Sequence, residues 1–221
     1  MSIRSACAGM PAVLALATPT FAITVPFTED FAASASDWRQ NDAVTPLVWS
    51  ATGGPDGGSF ASAPFNFVTS GPGATPAIIR GHDAFNSSAD AFVGDWLSAG
   101  VAALSFDVRH DAGVPMTIFA RAATSTNFPG AGAIEFTPAP SGVWTTISFP
   151  IVPPSWILEG PFPFASVFTS VGNVQIGADP GALANVDQVV TFDVDKITIT
   201  PAPGGLALVG GLGLLGLRRR R

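Results

Sequence analysis

Through the middle of the chain apolar residues recur at every second position, the spacing of strands that bury one face and expose the other. In residues 101–110, Leu104, Phe106 and Val108 fall on one side. Asp107 and Arg109, followed by Asp111, fall on the other, where a solvated row of ion pairs is expected. After Asp111-Ala112-Gly113 the rhythm resumes with Val114, Met116 and Ile118, so residues 101–110 and 114–121 read as a hairpin. Further strands are predicted at 23–27, 47–50, 77–80, 133–136, 143–149, 174–177 and 189–200, separated by turn sequences such as Gly53-Gly54-Pro55-Asp56-Gly57-Gly58. No stretch has a convincing amphipathic helical period. Roughly nine short strands with proline- and glycine-rich connections predict an all-β fold, a β-sandwich of the jelly-roll kind.

The last predicted strand changes phase. Val190, Phe192 and Val194 share one face, but the apolar positions then move to Ile197 and Ile199, which predicts a bulge at Asp195-Lys196. On this reading Asp193 and Asp195 lie near a sheet edge.

The two ends of the chain depart from the strand pattern. Residues 1–22 have the layout of a secretory signal: Arg4, an apolar stretch over residues 10–17, and small residues around Thr20-Phe21-Ala22. Cys7 lies inside that signal, so its removal leaves no cysteine and no disulfides. At the other end, Pro201-Ala202-Pro203 precedes a glycine- and leucine-rich segment over residues 204–217 and then Arg218, Arg219, Arg220 and Arg221. That segment is shorter than the roughly 20 residues of a comfortable bilayer span. Its glycines weaken a helix, and the arginines would hold the end in the cytoplasm, so it suits a temporary stop better than a lasting anchor.

The tail resembles the bacterial PEP-CTERM signal, in which a Pro-Glu-Pro motif, an apolar helix and an arginine cluster follow one another. Alanine stands here in place of the glutamate. The resemblance implies an exosortase-type membrane protease as processing partner. It also implies transient insertion of a C-terminal hydrophobic sorting helix, then release or transfer to the cell surface or its polysaccharide matrix. The expected organisation is a signal peptide at 1–22, one β-sandwich domain at 23–200 and a sorting tail at 201–221.

Charge narrows the partners. All 16 acidic residues fall between the two signals, where the cations are only Arg39, Arg80, Arg109, Arg121 and Lys196, so the domain carries a net charge of −11 rather than the −6 of the whole chain. Nucleic acid is excluded, because affinity for phosphate backbones comes largely from cationic side chains. Catalysis finds little footing. His82 and His110 lie in no hydrolase motif, there is no Gly-X-Ser-X-Gly, and Glu29, Glu135 and Glu159 are scattered singly. No catalytic residue is assigned.

A second, looser resemblance covers about residues 27–108. Glu29-Asp30-Phe31, Asp37-Trp38, Trp49, the glycine-rich 53–60 segment, Phe92-Val93-Gly94-Asp95 and the 103–107 strand look like the laminin B type of jelly roll, a relative of galactose-binding-like and carbohydrate-binding modules. It implies one structural calcium between the first and last strands. Glu29 and Asp195 are then the metal ligands, with Asp30 and Asp193 as substitutes.

Sugar binding would need exposed aromatic faces, and the chain has five tryptophans and no tyrosine. Trp144 alternates with Thr146 and Ser148 toward solvent, and Trp156 lies in the Pro153-Pro154-Ser155 loop; these two are the carbohydrate candidates, set against the usual role of large aromatics in cores. The expected function is an exported, non-enzymatic module that binds polysaccharide. The alternatives are a structural or adhesive extracellular protein without a small ligand, and a secreted hydrolase.

Overall fold

The computed structural model describes residues 23–68 and 77–202. The expected signal peptide, Pro203 and the arginine cluster Arg218–Arg221 lie outside the described residues. Among the described residues no helix is long and apolar enough to cross a membrane.

Twelve strands follow in chain order: β1 (Phe27–Glu29), β2 (Arg39–Gln40), β3 (Val48–Ser50), β4 (Phe60–Asn66), β5 (Ala77–His82), β6 (Val101–His110), β7 (Met116–Ala123), β8 (Gly130–Ala139), β9 (Thr145–Pro150), β10 (Ile157–Leu158), β11 (Asn173–Ala178) and β12 (Val189–Pro201). The longest helix described is a single short turn, Phe164–Phe168. All pairings are antiparallel. Sheet 1 runs β3-β4-β12-β6-β9, with β1 also on β12; sheet 2 runs β10-β8-β7-β11-β5-β2. The two sheets form a β-sandwich.

Alternation decides which side chains fill the space between the sheets. Sheet 1 contributes bulky groups: Leu104, Phe106 and Val108 of β6, Ile147 and Phe149 of β9, and Phe192, Val194, Ile197 and Ile199 of β12, all buried. Sheet 2 answers largely with small ones, Ala120 and Ala122 of β7, Ala131 and Ala133 of β8, and Ala77 and Ala178 beside Ile79 and Ile176. Large residues facing small ones let the layers interdigitate at native density without voids.

The predicted bulge is present. The β12–β6 register shifts between Asp195 and Thr198, and Lys196 takes a left-handed φ of 49°. Its position in the sheet differs from expectation. β12 is hydrogen-bonded on both sides, by β6 on one and by β4 and β1 on the other, so Asp193 and Asp195 lie at the centre of sheet 1 and not at an edge.

The expected hairpin is also corrected. β6 pairs with β12 and β9, whereas β7 pairs with β8 and β11, so Asp111-Ala112-Gly113 carries the chain from one sheet to the other. Both strands keep their period because each faces the same core from opposite sides. β4 was not predicted: Phe60-Ala61-Ser62-Ala63-Pro64 offers small residues and a proline where bulky alternation would mark a strand.

Gly81 on β5 shows how closely the core is fitted. A methyl group there would sit 2.6 Å from the indole of Trp38, a fully buried ring whose Nε1 donates to Ser88 Oγ at 2.8 Å. Gly81→Ala is therefore expected to lower the unfolding free energy by about 1–3 kcal/mol, the usual cost of overpacking, as measured by urea denaturation.

Candidate functional site

Each sheet has an outer face on which the polar positions of its strands collect. On sheet 1, Thr146, Asp107 and Asp195 lie side by side across β9, β6 and β12, and Arg109, Asp193 and Ser62 form the next row across β6, β12 and β4. Thr146 Oγ1 donates to Asp107 at 2.5 Å, and Arg109 places both Nε and Nη2 on Asp193 Oδ2 at 2.8 and 2.7 Å. The expected solvated ion-pair row is thus a set of largely buried contacts.

The glycine-rich 53–58 segment lies against this face. The Gly53 carbonyl accepts from Arg109 Nη1 at 3.2 Å and from Trp144 Nε1 at 3.0 Å, and Lys196 Nζ reaches Asp56 at 3.1 Å. A side chain at Gly54 would meet Asp195 Oδ2 and two backbone carbonyls. Trp144 stands on the outer face, edge-on to Phe60 at 5.7 Å, with the Arg109 guanidinium 4.7 Å from its ring centre. Phe60, Arg109, Asp111, Thr191 and Asp193 line a cleft of about 450 Å³ beside it.

The other carbohydrate candidate is corrected. Trp156 is only 4 % exposed, donates Nε1 to the Pro150 carbonyl at 2.9 Å and packs against Phe149 and Phe168. It belongs to the core and offers no face to a ligand. The proline-rich loop that suggested exposure turns the ring inward.

The metal candidates lie on paired strands, with Glu29 opposite Ile197 and so two positions along β12 from Asp195. Both are buried. Glu29 Oε1 accepts the Phe31 N–H and Asp195 Oδ1 accepts the Lys196 N–H, each at 2.8 Å. Asp30 Oδ1 accepts from Ala32, and Asp193 is held by Arg109. Among the described residues no three His, Cys, Asp or Glu side chains gather as a metal site. A calcium here would draw most of its six to eight oxygens from backbone carbonyls and water.

The outer face of sheet 2 is different. Pairing across β2, β5, β11 and β7 sets Arg39, Arg80, Gln175 and Arg121 in one row, and His82 and Asn173 beside it. Arg121 is fully engaged: it binds Glu159 through Nε and Nη2 at 2.5 and 2.6 Å and Asn127 through Nη1 at 2.7 Å. Asn127 Oδ1 also accepts from Asn173 Nδ2 at 2.8 Å and Gln175 Nε2 at 3.1 Å. Arg80 makes no such contacts. Its Nε is buried without a partner, as is Asn173 Oδ1. Burial, followed by the charge of Arg121, pushes the Arg80 guanidinium below its ordinary range.

Glycines lay side chains flat on this face. The Phe119 ring crosses Gly177, and the Arg121–Glu159 pair crosses Gly130, each occupying the space of a β-carbon. Exposed Phe128 and Phe162 meet edge-on at 5.1 Å, and the Gly160 between them and Glu159 is in reach of both rings. At the other end Arg39 stacks on Phe85, 4.0 Å from the ring centre. Sequence reading did not single out this row, although it had a signal: Arg39, Arg80 and Arg121 are three of the five cations between residues 23 and 200. Arg80 and Arg121 also alternate outward from buried Ile79 and Ala120.

No protein-family profile matches the chain, and no curated protein matches it in sequence. Solved structures do share its fold. A family 11 carbohydrate-binding module from Clostridium thermocellum, in complex with a β-1,3-1,4-mixed-linked tetrasaccharide, superposes with a TM-score of 0.52 at 14% identity, over 81% of this chain and 98% of that one. An exo-β-agarase gives a TM-score of 0.52 at 10% identity over 81% of this chain. The chain spans 26% of the length of that agarase and 28% of a Clostridium thermocellum xylanase 10B fragment containing CBM22-1 and GH10 modules, which superposes at 0.45 and 15% identity over 80% of this chain. The β-sandwich is thus a fold shared with a family 11 carbohydrate-binding module and with part of an exo-β-agarase.

One group on sheet 1 gives a pH prediction. Burial raises Asp195 to about 6; the Lys196 N–H and charge oppose the rise, while Asp56 and Asp107 add to it. Asp193 is raised by burial too, against the pull of Arg109. The folded state therefore keeps the Asp195 proton over a range where the unfolded chain, with a carboxyl near 3.9, has lost it. That stabilisation is complete below about pH 4 and is lost as pH rises through about 6. Denaturation curves from pH 4 to 7 should show this decline. Asp195→Asn should flatten it, and an unchanged slope would assign it to other carboxyls.

Proposed function

We propose that this chain is a non-catalytic module that binds polysaccharide through the outer face of sheet 2, after export to the cell surface or extracellular matrix. One observation carries the reading. On this face the structure buries a donor, Arg80 Nε, and in the neighbouring row an acceptor, Asn173 Oδ1, each without a partner. An unmade buried hydrogen bond costs about 1–3 kcal/mol, more for a charged group. Sugar hydroxyls both donate and accept, the complement that an unpaired donor and an unpaired acceptor require. The Phe119 ring, lying along the sheet, supplies an apolar surface of the kind that packs against a sugar ring. The fold shared with a module bound to a mixed-linked tetrasaccharide supports the same reading.

Export and sorting complete the proposal. β12 ends at Pro201, which pairs with Val101, and the Ala202 N–H donates to the Gly100 carbonyl. Cleavage by an exosortase-type protease beyond Pro201-Ala202-Pro203, with removal of Arg218–Arg221, leaves every strand of the sandwich in place. An adhesive role without a small ligand is favoured by the exposed Phe136 and Ile157 on neighbouring strands β8 and β10.

Affinity gel electrophoresis in mixed-linked β-glucan, xylan, agarose and pectin tests the binding reading. Retardation by at least one glycan is expected, with at least tenfold weaker binding in Gln175→Ala. Free migration in all of them would overturn it in favour of the adhesive role. For Glu29 and Asp195, calcium added to chelator-treated protein should raise the Tm and remove the acid-side pH dependence. An unchanged Tm leaves these carboxylates as acceptors for the Phe31 and Lys196 N–H groups.

A further inference from the structure

Five cations lie between residues 23 and 200, and three of them have an anionic partner: Arg109 with Asp193, Arg121 with Glu159, and Lys196 with Asp56. Among the described residues the other two, Arg39 and Arg80, have no ion pair. They are also direct register partners on β2 and β5. The charge that bears on Arg80 is that of Arg121, across Gln175, whereas the Arg39 charge acts on Asp42. Arg39 is occupied by stacking on Phe85 and by one bond from Nη1 to the Ala43 carbonyl at 3.1 Å. Arg80 has neither, and its Nε is shut off from water without an acceptor.

Neutral sugar hydroxyls would complete the hydrogen bonds of this row but would leave the Arg80 charge uncompensated. An anionic group seated against Arg80 does both. From this we infer that the sugar chain bound on sheet 2 is acidic, with a carboxylate or sulfate group of the glycan meeting the Arg80 guanidinium. The inference rests on the polysaccharide-binding reading and specifies its ligand. Planar guanidinium groups are suited to it, since they present paired N–H donors that match the spacing of two oxygens on one acidic group.

The test uses the purified chain in affinity gels containing polygalacturonate, methyl-esterified polygalacturonate, dextran sulfate or neutral mixed-linked β-glucan. Strong retardation is expected with polygalacturonate or dextran sulfate, and which of the two is bound more tightly separates a carboxylate from a sulfate ligand. Methyl esterification should weaken binding at least tenfold, and raising NaCl from 50 to 200 mM should weaken it several-fold. Arg80→Gln should lower affinity for the acidic glycan at least tenfold while raising the Tm of the free protein, because it removes an unpaired, partly buried cation. A merely structural Arg80 would lower the Tm instead. Arg109→Gln, on the opposite sheet, should leave binding unchanged. Equal or stronger retardation by the neutral glucan, unaltered in Arg80→Gln, would overturn the acidic ligand and leave polysaccharide binding standing. Retardation by none of the glycans would overturn both.

Discussion

The sandwich depends on a mismatch in side-chain size between its two inner faces. Sheet 1 brings phenylalanine, leucine and isoleucine to the interface, and sheet 2 meets them with alanines on β7, β8, β11 and β5. Each large ring has a shallow seat opposite, and the sheets can approach without forcing side chains off their rotamers. With Cys7 the single cysteine of the chain, no internal disulfide forms, and this packing is the main source of stability. It also fixes the outer faces, because every residue turned inward commits its neighbours to point outward.

Those outer faces are put to different uses. On sheet 1 the polar residues are tied to one another and to the glycine-rich segment through the Gly53 carbonyl, so Arg109, Trp144 and Asp193 are held rather than offered. On sheet 2 the network through Asn127 and Glu159 holds Arg121, Asn173 and Gln175 in place but stops short of Arg80. One face is closed by its own chain, and the other is incomplete.

Much of the fold was legible from local pattern. β6 and the bulge near Lys196 follow from period-two alternation and its phase change, both carried by adjacent residues. What alternation lacks is the identity of the partner strand. It assigns Met116 and Ile118 an inward face, yet it does not say that β7 has left the sheet that holds β6. The same limit hid the arginine row, since Arg39, Arg80, Gln175 and Arg121 come together only through non-local pairings across four strands. Trp144 could be placed on an outer face because it continues the alternation of β9. Trp156 could not, because its direction is set by an irregular loop and by Phe149 and Phe168, residues distant from it in pattern.

The uneven pairing of cations makes the molecule electrically two-sided. Arg109 and Lys196 are cancelled on sheet 1, whereas Arg39 and Arg80 keep their charge at one margin of sheet 2. An unpaired cation on a domain of net charge −11 attracts anions only at close range, while the field felt farther away stays acidic.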